Sequence, residues 1–289
     1  MQALNAGRLN TSRRDGRVAL ENLSLMRGLV ENGRAHLLPV LPSALASDIL
    51  LRGYDPRTLD RVYRDRAAGS FGPIGRVVDR MVLDMPLHEA LRERLDAAVG
   101  ELCAAVVVRA RENKLPCRVL MAPCGLGREI LAADARLRVR HPELVNGVEW
   151  FGAENPVDPG VLAEAAERSA AAGVTVRWLA RNPVTLKLDD IGGRPCDVIV
   201  GLGSTFQRSV GSVGSLIRTH ASLLKSGGVL LVDRWDASGK HRLSRAMSIE
   251  STPVSRTELH RILRSAGLSV EREHPTGSGG CTLTVCRKA

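Results

Sequence analysis

The spacing of apolar positions changes partway along the chain and divides it in two. Leu20, Leu23, Met26, Leu29 and Val30 recur at helical spacing. Residues 37–46 hold two prolines and read as a loop or short turn. Asp55-Pro56 is a cap followed by proline at a first helical position, with Leu59, Val62 and Tyr63 on one face behind it. The segment 69–75, GSFGPIG, reads as a break. Helices are predicted again over 75–83 and 86–112, the second carrying Leu87, Leu91, Leu95, Val99, Leu102 and Val106 on one stripe.

From Cys117 onward short apolar runs alternate with helical patterns. Strands are predicted at 118–122, 147–153, 175–180, 197–201 and 229–234, with helices at 128–140, 159–172, 211–224 and 255–266. Strands separated by helices imply right-handed parallel crossovers. Residues 268–274, then PTGSGG, then 281–287 read as two more strands joined by a hairpin. The expected fold class is α/β, a doubly wound seven-stranded sheet (116–289) with a helical N-terminal extension (1–115).

One junction carries candidate chemistry. In RVLMAPCGLGRE, residues 118–129, a buried strand breaks at Pro123 and Cys124, turns on Gly125 and Gly127, and opens a helix at Arg128. Such a junction lets backbone N–H groups and a helix N-terminus approach a polar ligand. A dinucleotide fingerprint wants a third small residue, and Ile130 stands there, which argues against NAD or FAD. What is left is a G-x-G loop of the kind that binds S-adenosylmethionine (SAM), or a tight turn without ligand.

The chain's 289 residues carry a net charge of +10, which invites a nucleic-acid partner. Against that, basic residues are spread along the chain, five of them are lysine, and aromatics are 3%. Little material exists for base stacking. Six cysteines (103, 117, 124, 196, 281 and 286) show no paired or metal-ligand spacing, which suits a reducing cytosol. No apolar run reaches the roughly 18 residues of a membrane span, and the N-terminus lacks the apolar core of a secretory signal. A cytoplasmic protein with a small-molecule substrate is expected, and a homodimer is left open.

Taken in order, VLMAPCGLGRE, VLAEAAERSAAAGV (161–174), CDVIVGLGS, LIRTHASLLKSGGVLLVDR and SRTELHRILRSAGLSV resemble the class I SAM-dependent methyltransferases over 117–287. The resemblance implies SAM as cofactor. It also implies a cofactor-binding set: Pro123, Cys124, Gly125 and Gly127 against the methionine half, Glu154 with Asn155 at the ribose hydroxyls, Asn182-Pro183 near the adenine, and Gly201, Gly203 and Ser204 beneath the transferred methyl. Two departures stand out. Met121 occupies a position that is acidic in many members, and Pro123 one where glycine is commoner.

An acceptor site would draw on Tyr63, Phe71, Phe206, Trp235 and His241. His241 and Ser204 are the candidate catalytic groups, although a sulfonium is activated enough that positioning alone can carry much of the catalysis. No metal is expected, since acidic ligands do not follow the fourth strand. The exocyclic-amine motif is missing, and Cys124 lies in the wrong loop for a cytosine-C5 nucleophile. Three alternatives to methyl transfer remain. SAM could be attacked at the methylene beside sulfur, by aminocarboxypropyl transfer or cyclisation that releases methylthioadenosine. The chain could bind or modify RNA, or it could be a non-catalytic partner of the same fold.

Overall fold

The computed structural model describes residues 43–69, 72–112, 114–203, 210–235, 254–277 and 279–289. The expected helix over 20–30 lies outside them, as do Phe71, Ser204, Phe206 and His241. The chain forms two compact units. Described residues up to Glu93, with Gly277, Gly279 and Gly280, make the first; the others from Arg94 onward make the second.

The first unit is helical, with α1 at Ala44–Arg52, α2 at Pro56–Arg64 and α3 at Gly72–Leu83; α4, Pro86–Arg111, begins in it. Two expectations shift here. The 37–46 loop gives way to helix at Ala44, because both prolines precede the Ser43 cap. The break at 69–75 ends early, because Gly72-Pro73 fits a first helical turn.

A buried carboxylate ties this unit together. Asp79 accepts from the Ser43 hydroxyl at 2.6 Å and from the backbone N–H groups of Leu45, Ala68 and Gly69 at 3.2, 3.1 and 2.7 Å. In the same unit, the buried His88 lies between the Val82 carbonyl, 2.6 Å from Nδ1, and the Tyr54 hydroxyl, 2.9 Å from Nε2. Burial lowers the imidazole pKa to about 4. The neutral ring therefore donates from Nδ1 to the carbonyl and accepts the Tyr54 O–H at Nε2.

The second unit is a seven-stranded sheet in the order β3-β2-β1-β4-β5-β7-β6. The strands are β1 Cys117–Met121, β2 Val148–Glu154, β3 Val176–Ala180, β4 Cys196–Gly201, β5 Leu224–Trp235, β6 Leu268–Pro275 and β7 Cys281–Lys288. Those from β1 to β5 pair in parallel, and β7 runs antiparallel to both β5 and β6. Helices α5 (Arg128–Arg140), α6 (Pro159–Ala171), α7 (Val210–Leu223) and α8 (Arg256–Ser265) lie between them in sequence. β1 and β4 are buried at every position, as central parallel strands covered on both faces must be. One core joins Leu120, Ile199 and Leu230 to α7 and α8; the other joins Val119, Val198 and Leu231 to α5 and the Val99–Val106 stretch of α4.

At the amino-terminal edge, charges are spent on holding the sheet. Asp197 accepts the Arg118 backbone N–H at 2.9 Å and pairs with Arg109 at 2.8 Å and with Lys225. Arg118 pairs with Glu149 at 2.9 Å and covers the Phe151 ring at 4.8 Å.

The His88 geometry gives a pH-dependent stability. A histidine whose folded pKa lies below its unfolded value stabilises the fold while neutral. That contribution is complete above about pH 6.5 and is lost as pH falls towards about 4. The shift corresponds to about 3 kcal/mol. Urea titrations of wild type and His88→Gln should show a stability gap that narrows by about that amount between pH 7 and pH 4. A gap independent of pH would contradict a neutral buried ring.

Candidate functional site

Strand order reverses at β1, which has β2 on one side and β4 on the other. Ligands of open parallel sheets bind in the crevice beyond the carboxyl ends of the strands at such a point. The loops after β1 and β4 therefore flank the natural ligand crevice, and most of the site residues expected from sequence lie at this edge of the sheet.

The loop after β1 is fixed by its backbone. Ala122 N–H donates to the Val200 carbonyl at 2.9 Å and Cys124 N–H to that of Ala153 at 3.0 Å, so the loop remains paired to both neighbours. Gly127 N–H returns to the Cys124 carbonyl at 2.8 Å, closing a turn. Gly125 and Gly127 hold φ of 49° and 69°, where a side chain is strained. α5 begins directly behind. At the tip of β2, Glu154 accepts Gly125 N–H at 2.7 Å through Oε2 and Asn155 N–H at 3.0 Å through Oε1. Cys124, Gly125, Gly127, Glu154 and Asn155 are thus brought together, with Pro123 half-buried at the loop's start.

Asn182 and Pro183 follow β3. Asn182 is exposed and builds a turn, its Oδ1 accepting Val184 N–H at 3.0 Å, while Pro183 is buried. After β4, Gly201 lies against the buried ring of His220 in α7, and a Cβ built there would sit 2.8 Å from it. Gly203 has a φ of 73° and donates its N–H to Asp233 Oδ2 at 2.9 Å.

Gly127 has a second reason to be glycine, which sequence reading missed. The Trp178 indole lies over the loop, 2.4 Å from a Cβ built on Gly127 and 2.3 Å from one built on Gly152. Its N–H donates to Ser169 Oγ at 3.2 Å. Gly152 and Trp178 are register partners. A glycine inside a strand marks such an approach, so the signal was present in the EWFGAE segment.

The Cys124 thiol is held protonated, well above the ordinary cysteine range. Burial is the main cause, followed by the charges of Glu154 and Glu129. Such a thiol is not a nucleophile.

A buried polar group near the carboxyl end of β5 was also missed. Asp233, fully buried, pairs with Arg94 of α4 and accepts the Trp235 indole N–H at 2.9 Å, in addition to Gly203 N–H. The Arg94 guanidinium lies 5.6 Å from the Trp235 ring centre. Trp235, expected to line an acceptor cavity, is 2% exposed and spends its N–H on Asp233. Arg94 follows Leu91 by three on the apolar stripe, a position where an arginine has to be paired. Tyr63 is half-buried on α2 of the first unit.

A seven-stranded sheet of this order, closed by an antiparallel β7, is the fold of the class I SAM-dependent methyltransferases. A family model described as "Putative methyltransferase" matches residues 49–146. Similar solved structures include a Bordetella parapertussis protein described as a "possible exported protein" (19% identity, 96% of each chain covered, TM-score 0.65). Another is the magnesium protoporphyrin IX methyltransferase of Synechocystis PCC 6803 with bound S-adenosylhomocysteine (13% identity, 84% of this chain and 96% of that one, TM-score 0.55). A third is mitomycin 7-O-methyltransferase (19% identity, 87% and 72% covered, TM-score 0.53). No curated protein matches the chain.

The Arg94–Asp233 pair yields a stability test. Arg94→Met removes one partner and leaves a buried carboxylate, which costs about 3–5 kcal/mol. Arg94→Met with Asp233→Asn should recover part of that loss in a denaturant double-mutant cycle. Additive losses would mean that the two side chains are not coupled.

Proposed function

We propose that the chain is a SAM-dependent methyltransferase acting on a small molecule, with S-adenosylhomocysteine as the other product. The observation that carries this reading is Glu154 at the tip of β2, its carboxylate on the N–H of Gly125 in the glycine loop beside the switch point. The family model and the fold agree with it.

Particular residues would take particular parts of the cofactor. The backbone of Cys124, Gly125 and Gly127 would lie along the methionine half. Each Glu154 oxygen now accepts one backbone N–H and keeps a lone pair for a ribose hydroxyl, with Asn155 beside it. Asn182 spends Oδ1 on its own turn, so its amide N–H groups are what it can offer the adenine edge. Pro183 would pack beneath the base. Gly201 and Gly203, with Ser204, would lie below the methyl group.

SAM supplies an electrophilic methyl carbon whose bond to sulfur breaks as an acceptor nucleophile attacks, the electron pair staying on sulfur. The protein's share is alignment and exclusion of water. Tyr63, Phe71 and Phe206 are proposed for the acceptor side, with His241 as a base for acceptors that must lose a proton, while Trp235 is buried against Asp233. Several basic side chains are committed to ion pairs, including Arg109, Arg118, Arg168 and Lys225. That favours a small acceptor over a nucleic acid. Among the described residues no helix is long and apolar enough to cross a membrane. The six cysteines are all free and buried, which supports a reducing compartment.

Calorimetry tests the binding claim. SAM and S-adenosylhomocysteine should bind with micromolar affinity and NAD should not. Gly125→Val should abolish binding while leaving circular dichroism unchanged. Incubation with SAM and cell extract, read by mass spectrometry, should yield S-adenosylhomocysteine. Methylthioadenosine in its place would move the reaction to the methylene carbon.

A further inference from the structure

We infer that Trp178 is a positioning residue for the cofactor, its indole seating the glycine loop in the shape that binds; the inference rests on the SAM reading above. Trp178 lies on β3, with β2 between it and β1. Its side chain nevertheless reaches back over β2 to the loop after β1. A wide, rigid aromatic spans that gap at little cost in rotamer freedom.

The ring is held at both ends. Its N–H donates to Ser169 Oγ of α6 at 3.2 Å, and that buried hydroxyl donates in turn to the Ala166 carbonyl at 2.9 Å. The indole cannot rotate without giving up this bond. Its outer edge rests on two glycines. The atoms nearest to a Cβ built on Gly127 are carbons of the six-membered ring, and carbons of the same ring are nearest to a Cβ built on Gly152. Gly152 is the β2 residue in register with Trp178. The space left by its missing side chain is a slot in the strand that receives the ring.

The slot serves both ends of the loop. Cys124 Sγ would lie 3.3 Å from the same Gly152 Cβ, and Cys124 N–H is bonded to the carbonyl of Ala153, the next residue of β2. Cys124 thus sits on the slot directly, and Gly127 sits on it through the ring. Gly127 is also the N-cap of α5, with its N–H on the Cys124 carbonyl and its own carbonyl on Leu131 N–H. The position of the ring therefore sets where the turn closes and where the helix begins. Between those two points lies the backbone proposed to carry the methionine half. A loop seated before its ligand arrives loses less freedom on binding, and groups that meet a ligand have to be held to within about 0.5 Å.

The test is calorimetry with S-adenosylhomocysteine on wild type, Gly152→Ala, Trp178→Phe and the double variant, each with a urea titration so that affinities are compared among folded proteins. Carbon atoms pack at about 3.5–4.0 Å, and a Cβ on Gly152 falls well inside that distance from the ring. Gly152→Ala displaces the indole from the loop and should weaken binding by about tenfold or more. Phenylalanine lacks the outer carbons of the indole and leaves room for the new methyl, so the double variant should bind more tightly than Gly152→Ala. A purely stabilising role does not produce that recovery of affinity. A Gly152→Ala protein that is less stable yet binds as wild type does overturns the assignment and leaves the ring as packing. A double variant no tighter than Gly152→Ala routes the effect through Cys124 and overturns it as well. If Gly152→Ala does not fold, Trp178→Phe alone should bind more weakly than wild type, and an unchanged affinity overturns the assignment. Wild type that does not bind S-adenosylhomocysteine overturns the SAM reading itself.

Discussion

Asp233 is fully buried at the carboxyl edge of the sheet, and its Oδ2 accepts from three groups among the described residues: the Arg94 guanidinium, the Trp235 indole and the Gly203 backbone N–H. Those donors come from α4, from the end of β5 and from the turn after β4. A buried carboxylate deprived of any of them would be left with a desolvation cost that its neighbours could not offset. The pair therefore ties α4 to the end of β5 and to the turn after β4.

The glycine loop shows packing and ligand access acting on the same residues. Gly127 is held to glycine by its φ and by the Trp178 ring, and Gly201 by the His220 ring. Neither needs a ligand to account for it. Gly125 is likewise held to glycine by its φ, and its N–H is turned onto Glu154.

Much of the sheet was legible in the sequence because its strands are short apolar runs separated by strongly periodic helices. The helical runs at 128–140, 159–172 and 255–266 appear within one residue at each end. The antiparallel hairpin was readable from PTGSGG between two alternating segments. α1 was misread because two prolines just ahead of its cap resembled a loop signal, and α3 because Gly72-Pro73 serves equally as a break or as a first turn.

The loop, Glu154 and the residues beyond β3 and β4 could be placed because motif spacing fixes them along the chain. Arg94, Asp233 and Trp178 could not, because their meaning lies in contacts between residues far apart in sequence. Arg94 and Asp233 are separated by 139 positions. Charge alone does not show which arginine on an apolar stripe meets which aspartate in a buried strand. The most direct test is a crystal structure of the protein grown with S-adenosylhomocysteine. Both ribose hydroxyls should lie within hydrogen-bonding distance of the Glu154 carboxylate, with the methionine half along Cys124–Gly127. A ligand bound elsewhere, or a Glu154 making no contact with the ribose, would contradict the proposed site.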